Sequence, residues 1–506
     1  MWLKLRFDDL RLIIHYVGMF IVGMGLIMVV PFLTGVLYGE YDAALDFLAG
    51  MGVVCAVGTL LVNVYTRPEN VNHMHALAIT AFGWLAASMA AAVPLALSAN
   101  YATYLDALFD ALSGLTTSGL TVVVDLDHMA NAHNMWRHLT HLIGGQGIIV
   151  AALSLAVGLR GGAFSLYLAE GRDERILPNV LHTVRFIWYV TAVYVVLGTV
   201  ALFGVMLYLG MDPSRGILHA FWIAVAAYDT GGFGPQSLNA MYYHSFLFEA
   251  VSVFLMVAGT LNFNLHAHVW KGNRSELWRN LEVRVLAFNI LALSVLTAIG
   301  LSATRAFNGP FAAVRKGAYH ILSAHTGTGH QTIFSSQWLT DFGGPAFVAV
   351  LIAMAAGGAV SSTAGGIKAL RLGLIGRSVI QQVKEALAPK SAFMRARYHH
   401  MGERFLTPEI GAAAATVFIL YIVTYVTGAL IGAAYGHDAG SALFESISAT
   451  ANVGLSTGIT SASMPAGLKI VYIVQMWAGR LEFIAVLVLV AQLILAVRPQ
   501  RGRRAA

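Results

Sequence analysis

Ten long apolar runs leave this chain little choice of solvent. They fall at 13–37, 45–65, 75–98, 136–159, 186–210, 243–269, 283–303, 345–376, 410–435 and 468–497. Each meets or exceeds the roughly 20 residues a helix needs to cross hydrocarbon. Inside a bilayer every backbone N–H and C=O must be satisfied within the protein, and runs of this length do so as helices. The fold class expected is therefore an all-α, polytopic membrane protein. Composition agrees: 58% of residues are hydrophobic and 11% charged, which excludes an ordinary soluble enzyme and a disordered chain. The single cysteine, Cys55, lies in an apolar run and reads as a small buried hydrophobe. The first run is too long for a cleaved signal and has no small-residue cleavage site after it.

Basic residues set the expected orientation. With the N-terminus in the cytoplasm and the spans alternating, 24 of the 31 Lys and Arg fall on inner segments, six on outer ones, and Arg480 within a span. That asymmetry is the positive-inside pattern and places both termini in the cytoplasm. It also accounts for the net charge of +6 without nucleic acid.

The connections between spans repeat. Four outer segments, 104–121, 217–234, 313–331 and 439–456, each run from an aromatic or small-residue helix into a Gly/Thr-rich stretch. Their aligned glycines are Gly119, Gly232, Gly329 and Gly454, spaced 113, 97 and 125 residues apart. The unit is helix, half-helix, loop, helix, four times over. A loop that re-enters a bilayer carries free carbonyls, tolerated only in protein or along a wet path. Four such loops around one axis would make rings of oxygens able to replace an ion's hydration shell. The negative ends of the half-helix dipoles would add to the attraction for a cation. The residues expected to form this filter are Thr116, Thr117, Ser118 and Gly119; Thr230, Gly231 and Gly232; Gly327, Thr328 and Gly329; and Asn452, Val453 and Gly454. Hydroxyls of Thr116, Thr117, Thr230, Thr328 and Ser456 could contribute oxygens.

Two further features lie inside spans. Gly357, Gly358, Gly365 and Gly366 flank Ser361, Ser362 and Thr363, and so many breakers will not hold a stiff helix. Arg480 sits among Met476, Trp477, Leu481 and Phe483, where a charge is costly unless it has a function or a partner. Either it serves the path, or it forms an ion pair between helices. Asp229 precedes the second filter stretch, at the pore mouth or in the half-helix wall. Gly144-Gly-Gln-Gly147 reads as a close-packing motif opening the fourth helix. His138 and His141 lack a completing metal ligand, and His399-His400 read as solvated in a cytoplasmic linker. No nucleotide or metalloprotease motif is present, so no cofactor is expected in this chain.

With these residues in view, residues 72–497 resemble the Trk/Ktr/HKT family of potassium transporters. The resemblance rests on the four loops, on the run from Gly357 to Arg371, and on Gly479-Arg-Leu-Glu482. Two additional N-terminal helices are similar to those of the Trk branch. The resemblance implies a division into 1–71 (two extra helices), 72–160, 161–270, 271–377 and 378–506 (four pore repeats). It implies potassium as the transported ion, the 357–366 segment as an intramembrane gate, and Arg480 in the pore beneath the filter. It further implies a homodimer in the cell's inner membrane, lipid contact, and a TrkA-like cytosolic nucleotide-binding regulatory subunit. Basic stretches 160–185, 271–284 and 377–404 are candidate docking surfaces. His330 departs from the family's Phe or Leu after the filter glycine, either bonding to backbone or acting as a pH-sensitive brake. A sodium- or proton-coupled symporter of the same fold, and a membrane enzyme built on Asp229, are the rival functions; the enzyme lacks a second intramembrane carboxylate to pair with Asp229.

Overall fold

The computed structural model describes residues 7–64, 71–147, 180–304, 307, 309–389 and 395–497, and these are almost entirely helical. Helices α1 (Phe7–Ile27), α2 (Val29–Leu37) and α3 (Tyr41–Val62) come first. Then one pattern occurs four times. The first round is α4 (His73–Leu97), the short α5 (Tyr104–Leu115) and α6 (Asn131–Gln146). The second is α7 (Val180–Tyr208), α8 (Pro213–Tyr228) and the bent pair α9 (Phe246–Thr260) and α10 (Phe263–Trp270). A single turn, α11 (Glu276–Arg279), leads to the third: α12 (Leu281–Thr304), α13 (Pro310–His325) and α14 (Gly343–Ala355). After α15 (Ala369–Leu387) and a hairpin, β1 (Arg397–His399) with β2 (Glu403–Phe405), comes the fourth: α16 (Pro408–Ala434), α17 (Ala439–Ala451), and the bent pair α18 (Ala466–Arg480) and α19 (Ile484–Val497).

Among the described residues, seven helices are long and apolar enough to span a membrane, and nine spans result if each bent pair counts as one. The expected run 136–159 is described only as far as Gly147; the rest lies outside the described residues. The surface is inverted relative to a soluble protein. Large apolar side chains such as Leu60, Val200, Phe288 and Leu430 face outward, while Thr116, Asp229, Thr328 and Asn452 are buried. Outward apolar faces on many spans mark a multi-pass membrane protein.

Three expected spans are interrupted. At 345–376 the break was foreseen. The runs 243–269 and 468–497 read as continuous helices but bend by 100° and 115°. Apolar composition runs through both bends, so hydropathy cannot see them. In the first, Asn262 accepts a hydrogen bond from the Asn264 N–H at 2.7 Å and starts a new helix. In the second, Glu482 and Phe483 take the left-handed conformation, with φ of 51° and 69°.

The short helices have well-specified starts. α5 opens on a capping box between Thr103 and Asp106. Asp212 and Asp438 cap α8 and α17, and Pro213 and Pro310 open α8 and α13.

Candidate ion pathway

All four short helices end the same way. Beyond the last turn, Thr117, Thr230, Gly327 and Asn452 take φ between 51° and 72°. The next residue's N–H reaches back five residues: Ser118 to Ser113 O (2.8 Å), Gly231 to Ala226 O (2.8 Å), Thr328 to Ser323 O (2.9 Å), Val453 to Ser448 O (2.9 Å). This is a Schellman ending, and it turns the chain sharply away from the helix axis. Two residues after each left-handed position comes the aligned glycine, again at positive φ: 76° at Gly119, 74° at Gly232, 83° at Gly329, 96° at Gly454.

The four glycines converge, and in cyclic order. A Cβ on Gly119 would overlap the carbonyl oxygen of Gly231; on Gly232, that of Thr328; on Gly329, that of Val453; on Gly454, that of Ser118. Each glycine therefore faces the carbonyl preceding the next loop's glycine, and the fourth loop closes on the first. A cavity of about 170 Å³ opens over them, lined also by Gln236 and Gln331.

Beneath the loops lies the interrupted segment between α14 and α15. An Ala356–Ile367 bridge closes its base, with Gly357 N–H on Ile367 O at 3.0 Å and Ala369 N–H on Gly358 O at 2.9 Å. Side chains on Gly357 and Gly365 would strike Gly365 O and Ala451 O, so the segment fits under the short helices only with glycine there. Thr363 is its tip: its hydroxyl lies 2.9 Å from Gly259 O, 3.2 Å from Tyr228 O and 3.0 Å from Thr230 Oγ1. Arg480 ends α18 and donates to Thr363 O (2.7 Å), Thr117 Oγ1 (3.0 Å) and Gly144 O (2.5 Å). Its guanidinium is thus held by the loop and by the first repeat. At this level Arg371 forms an ion pair with Glu482. A small cavity of about 30 Å³ lies among Arg480, Glu482, Lys368, Trp84 and Tyr421, enough to admit water.

Comparison with known proteins identifies the architecture. The family model described as TrkH, cation transport protein, matches residues 45–495. The chain belongs to the TrkH family. An uncharacterized cation transporter of Methanocaldococcus jannaschii is 29% identical over 97% of each chain. The Trk system potassium uptake protein TrkH of Escherichia coli K12 is 28% identical over 95% of this chain and 98% of its own. The crystal structure of the potassium transporter TrkH from Vibrio parahaemolyticus has the same fold, with a TM-score of 0.81 at 23% identity, covering 97% of this chain and 99% of that one. The TrkH family is one of transport proteins, not of enzymes.

Other residues of this TrkH-family chain take places that the sequence did not disclose. Nine residues before the loop glycine, Asp110, His320 and Glu445 occupy one position on three short helices, and each braces its own loop. Asp110 receives Thr121 Oγ1 at 2.5 Å and the buried Arg137 Nε at 2.8 Å. Glu445 receives Ser456 Oγ (2.5 Å), Thr457 N–H (2.8 Å) and Thr460 Oγ1 (2.7 Å). His320 Nε2 accepts the Thr332 N–H at 3.2 Å. In the second repeat this position is Ile223, and Asn239 and His141 serve instead: Asn239 Nδ2 donates to Gly232 O (2.9 Å) and His141 Nε2 accepts the Phe233 N–H (3.2 Å). A polar residue nine positions before the glycine was visible in three of four aligned segments and was the available signal.

Several expectations change. The hydroxyls of Thr116, Thr328 and Ser456 bond Leu112 O, Thr326 Oγ1 and Glu445, which stiffens the loops. Asp229 belongs to the helix wall, buried at the end of α8, and accepts Gln146 Nε2 at 2.7 Å. The Gly144–Gly147 motif closes α6 where it was expected to open a helix; a Cβ on Gly144 would overlap Leu115 O. Gly259 and Gly479 pack in the same way against Tyr228 O and Thr450 O. His330 bonds a side chain, Asn239 Oδ1, at 2.9 Å. His138 and His141 bond Asn134 O and Gly114 O, and no metal-ligand cluster occurs among the described residues. His399 and His400 are not solvated: His400 is fully buried, because the hairpin folds back against the start of α12.

Proposed function

We propose that this chain takes up potassium across the cytoplasmic membrane through the four converging loops. The filter in this reading consists of Thr116–Gly119, Thr230–Gly232, Gly327–Gly329 and Asn452–Gly454, with main-chain carbonyls replacing water around the ion. The observation that carries it is the cyclic closure of the four glycines, each facing the next loop's carbonyl. Relatives named as potassium uptake proteins support the choice of ion. The membrane potential drives entry, at about 2.3 kcal/mol per charge per 100 mV.

Gly357, Gly358, Ser361, Ser362, Thr363, Gly365 and Gly366 form the gate, and Arg480 is the barrier beside it. The ties from Arg480 to Thr363 O and Gly144 O, and the small space below, favour a closed path. The repeats divide as 72–160, 161–270, 271–377 and 378–506. Both termini are cytoplasmic, the chain forms a homodimer in the inner membrane, and a TrkA-like nucleotide-binding subunit docks on the basic inner face.

The test is rubidium uptake into proteoliposomes holding the purified chain, with and without sodium and a pH gradient. Potential-driven uptake that potassium competes for, and sodium does not, is the expected result. Uptake that requires sodium or a proton gradient would replace this reading with a symporter; no uptake by a folded, reconstituted protein, together with no rescue of a potassium-uptake-deficient cell, would end it.

A further inference from the structure

The cytosolic hairpin is tied to the intramembrane segment through one buried carboxylate. Glu282 stands at the start of α12, 1% exposed at its side chain. Its Oε1 accepts the Val360 N–H of the gate loop at 2.7 Å. Its Oε2 faces the other way: His400 Nδ1 of the hairpin lies 3.7 Å from it, and Asn262 Nδ2, at the bend between α9 and α10, 3.4 Å. Asn280 locks the geometry, since its Oδ1 accepts the Glu282 N–H at 2.9 Å and lies 3.3 Å from His400 Nδ1. His400 is itself fully buried and its N–H is bonded to Gly402 O at 2.8 Å.

The hairpin is held from outside by different contacts. His399 reaches Glu276 at 2.9 Å and Glu403 at 3.0 Å. Arg377 Nη1 donates to Arg397 O at 2.8 Å, and Tyr398 packs with Leu281, Leu374 and Ala414. Val360 is buried in a glycine-bounded loop with no helix around it. The bend at Asn262 shares the arrangement: Phe263 N–H donates to Ser361 O (3.1 Å) and Ala359 N–H to Thr260 O (3.0 Å).

We propose that Glu282 is a positioning residue for the gate, and that His400 makes the cytosolic hairpin the latch that holds it: when the hairpin moves, Glu282 turns from Val360 and the loop is released. The latch rests on the gate reading of residues 357–366. It gives cytosolic events a route to the loop through a single charged group, whose hydrogen bonds in a dry site are strong and directional.

Three variants of the full chain in proteoliposomes test this: His400→Ala, Glu282→Gln and deletion of 360–363. Glu282→Gln keeps volume and an acceptor for Val360 while removing the charge that faces His400. Should His400→Ala aggregate in detergent, Glu282→Gln carries the test. Rubidium uptake is expected to rise about tenfold in either point variant, the scale on which a hydrogen bond to a charged acceptor exceeds one to a neutral acceptor, with rubidium-over-sodium preference unchanged. Wild-type uptake in both folded point variants, with raised uptake in the deletion, overturns the latch and leaves the gate. Wild-type uptake in all three overturns both. A rise accompanied by lost ion preference means damage at the filter and also overturns the latch.

Discussion

Glycine is required at 119, 232, 329 and 454 for two separate reasons. Each has positive φ, where a Cβ is strained, and each presses its Cα against a neighbouring loop's carbonyl. The first requirement was legible from sequence as a repeated loop glycine; the second depends on loops about a hundred residues apart and was not. It predicts that Gly119→Ser displaces the Gly231 carbonyl and weakens discrimination against sodium. Reversal potentials in mixed potassium and sodium would show this, and an unchanged ratio would break the alignment of the loops. Bracing carboxylates matter in the same way. Glu445→Ala strands three donors, Ser456, Thr457 and Thr460, at about 1–3 kcal/mol each where no water replaces it. A lower thermal midpoint and weaker ion preference are expected, both milder in Glu445→Gln, which keeps an acceptor. Arg480 was conspicuous as a charge in a span, but its partners were not readable, since Thr117, Gly144 and Thr363 come from other quarters of the chain. Removing the guanidinium in Arg480→Ala takes a positive charge from the path. Unitary potassium current should increase; a folded variant with unaltered current would place Arg480 outside the barrier.

At the scale of elements, hydropathy locates spans and says nothing of their bends. The runs 243–269 and 468–497 are apolar throughout, yet the first breaks at Asn262 and the second at Glu482–Phe483. Both breaks lie beside the intramembrane loop: Phe263 N–H bonds Ser361 O, and Arg371 of α15 pairs with Glu482. The loop itself was readable, because seven glycine, serine and threonine residues in ten positions cannot continue a helix. Its base, formed by the parallel Ala356–Ile367 bridge, lies outside the tip. Deleting 360–363 removes Thr363, and with it the ties to Gly259, Tyr228 and Arg480. Ion flux should rise several-fold, on the scale of one to two lost hydrogen bonds, while the fold persists. Unchanged flux in a monodisperse deletion protein would deny the loop a gating role. The hairpin at 397–405 was not foreseen, since its polar sequence reads as linker; its burial comes from Tyr398 and His400 folding onto α12.

For the molecule as a whole, the ring has one joint unlike the others. Successive quarters are joined by the chain, but among the described residues the fourth meets the first through side chains and packing. Among the converging loops, Asn452 Nδ2 donates to Ser118 Oγ at 2.8 Å; farther out, Lys469 Nζ meets Asp106 Oδ1 at 2.5 Å, both nearly buried. Trp477 Nε1 adds a bond to Ala81 O at 3.1 Å. Sequence foretold four quarters, yet nothing in it marked Lys469 and Asp106, 363 positions apart, as partners. A buried pair contributes little compared with an apolar substitute, but breaking one member leaves the other charge stranded, at about 3–5 kcal/mol. Lys469→Met should therefore lower the thermal midpoint and loosen ion preference, since the seam borders the loops. Asp106→Asn in the Lys469→Met background should restore most of both, because the amide keeps an acceptor for the Thr103 N–H that caps α5 and carries no charge to strand. A cycle of the four proteins, read by thermal unfolding in detergent and by rubidium-to-sodium uptake, measures the coupling. If the two substitutions simply add, the seam is closed by the filter and by packing alone, and the Lys469–Asp106 pair plays no part in holding the ring shut.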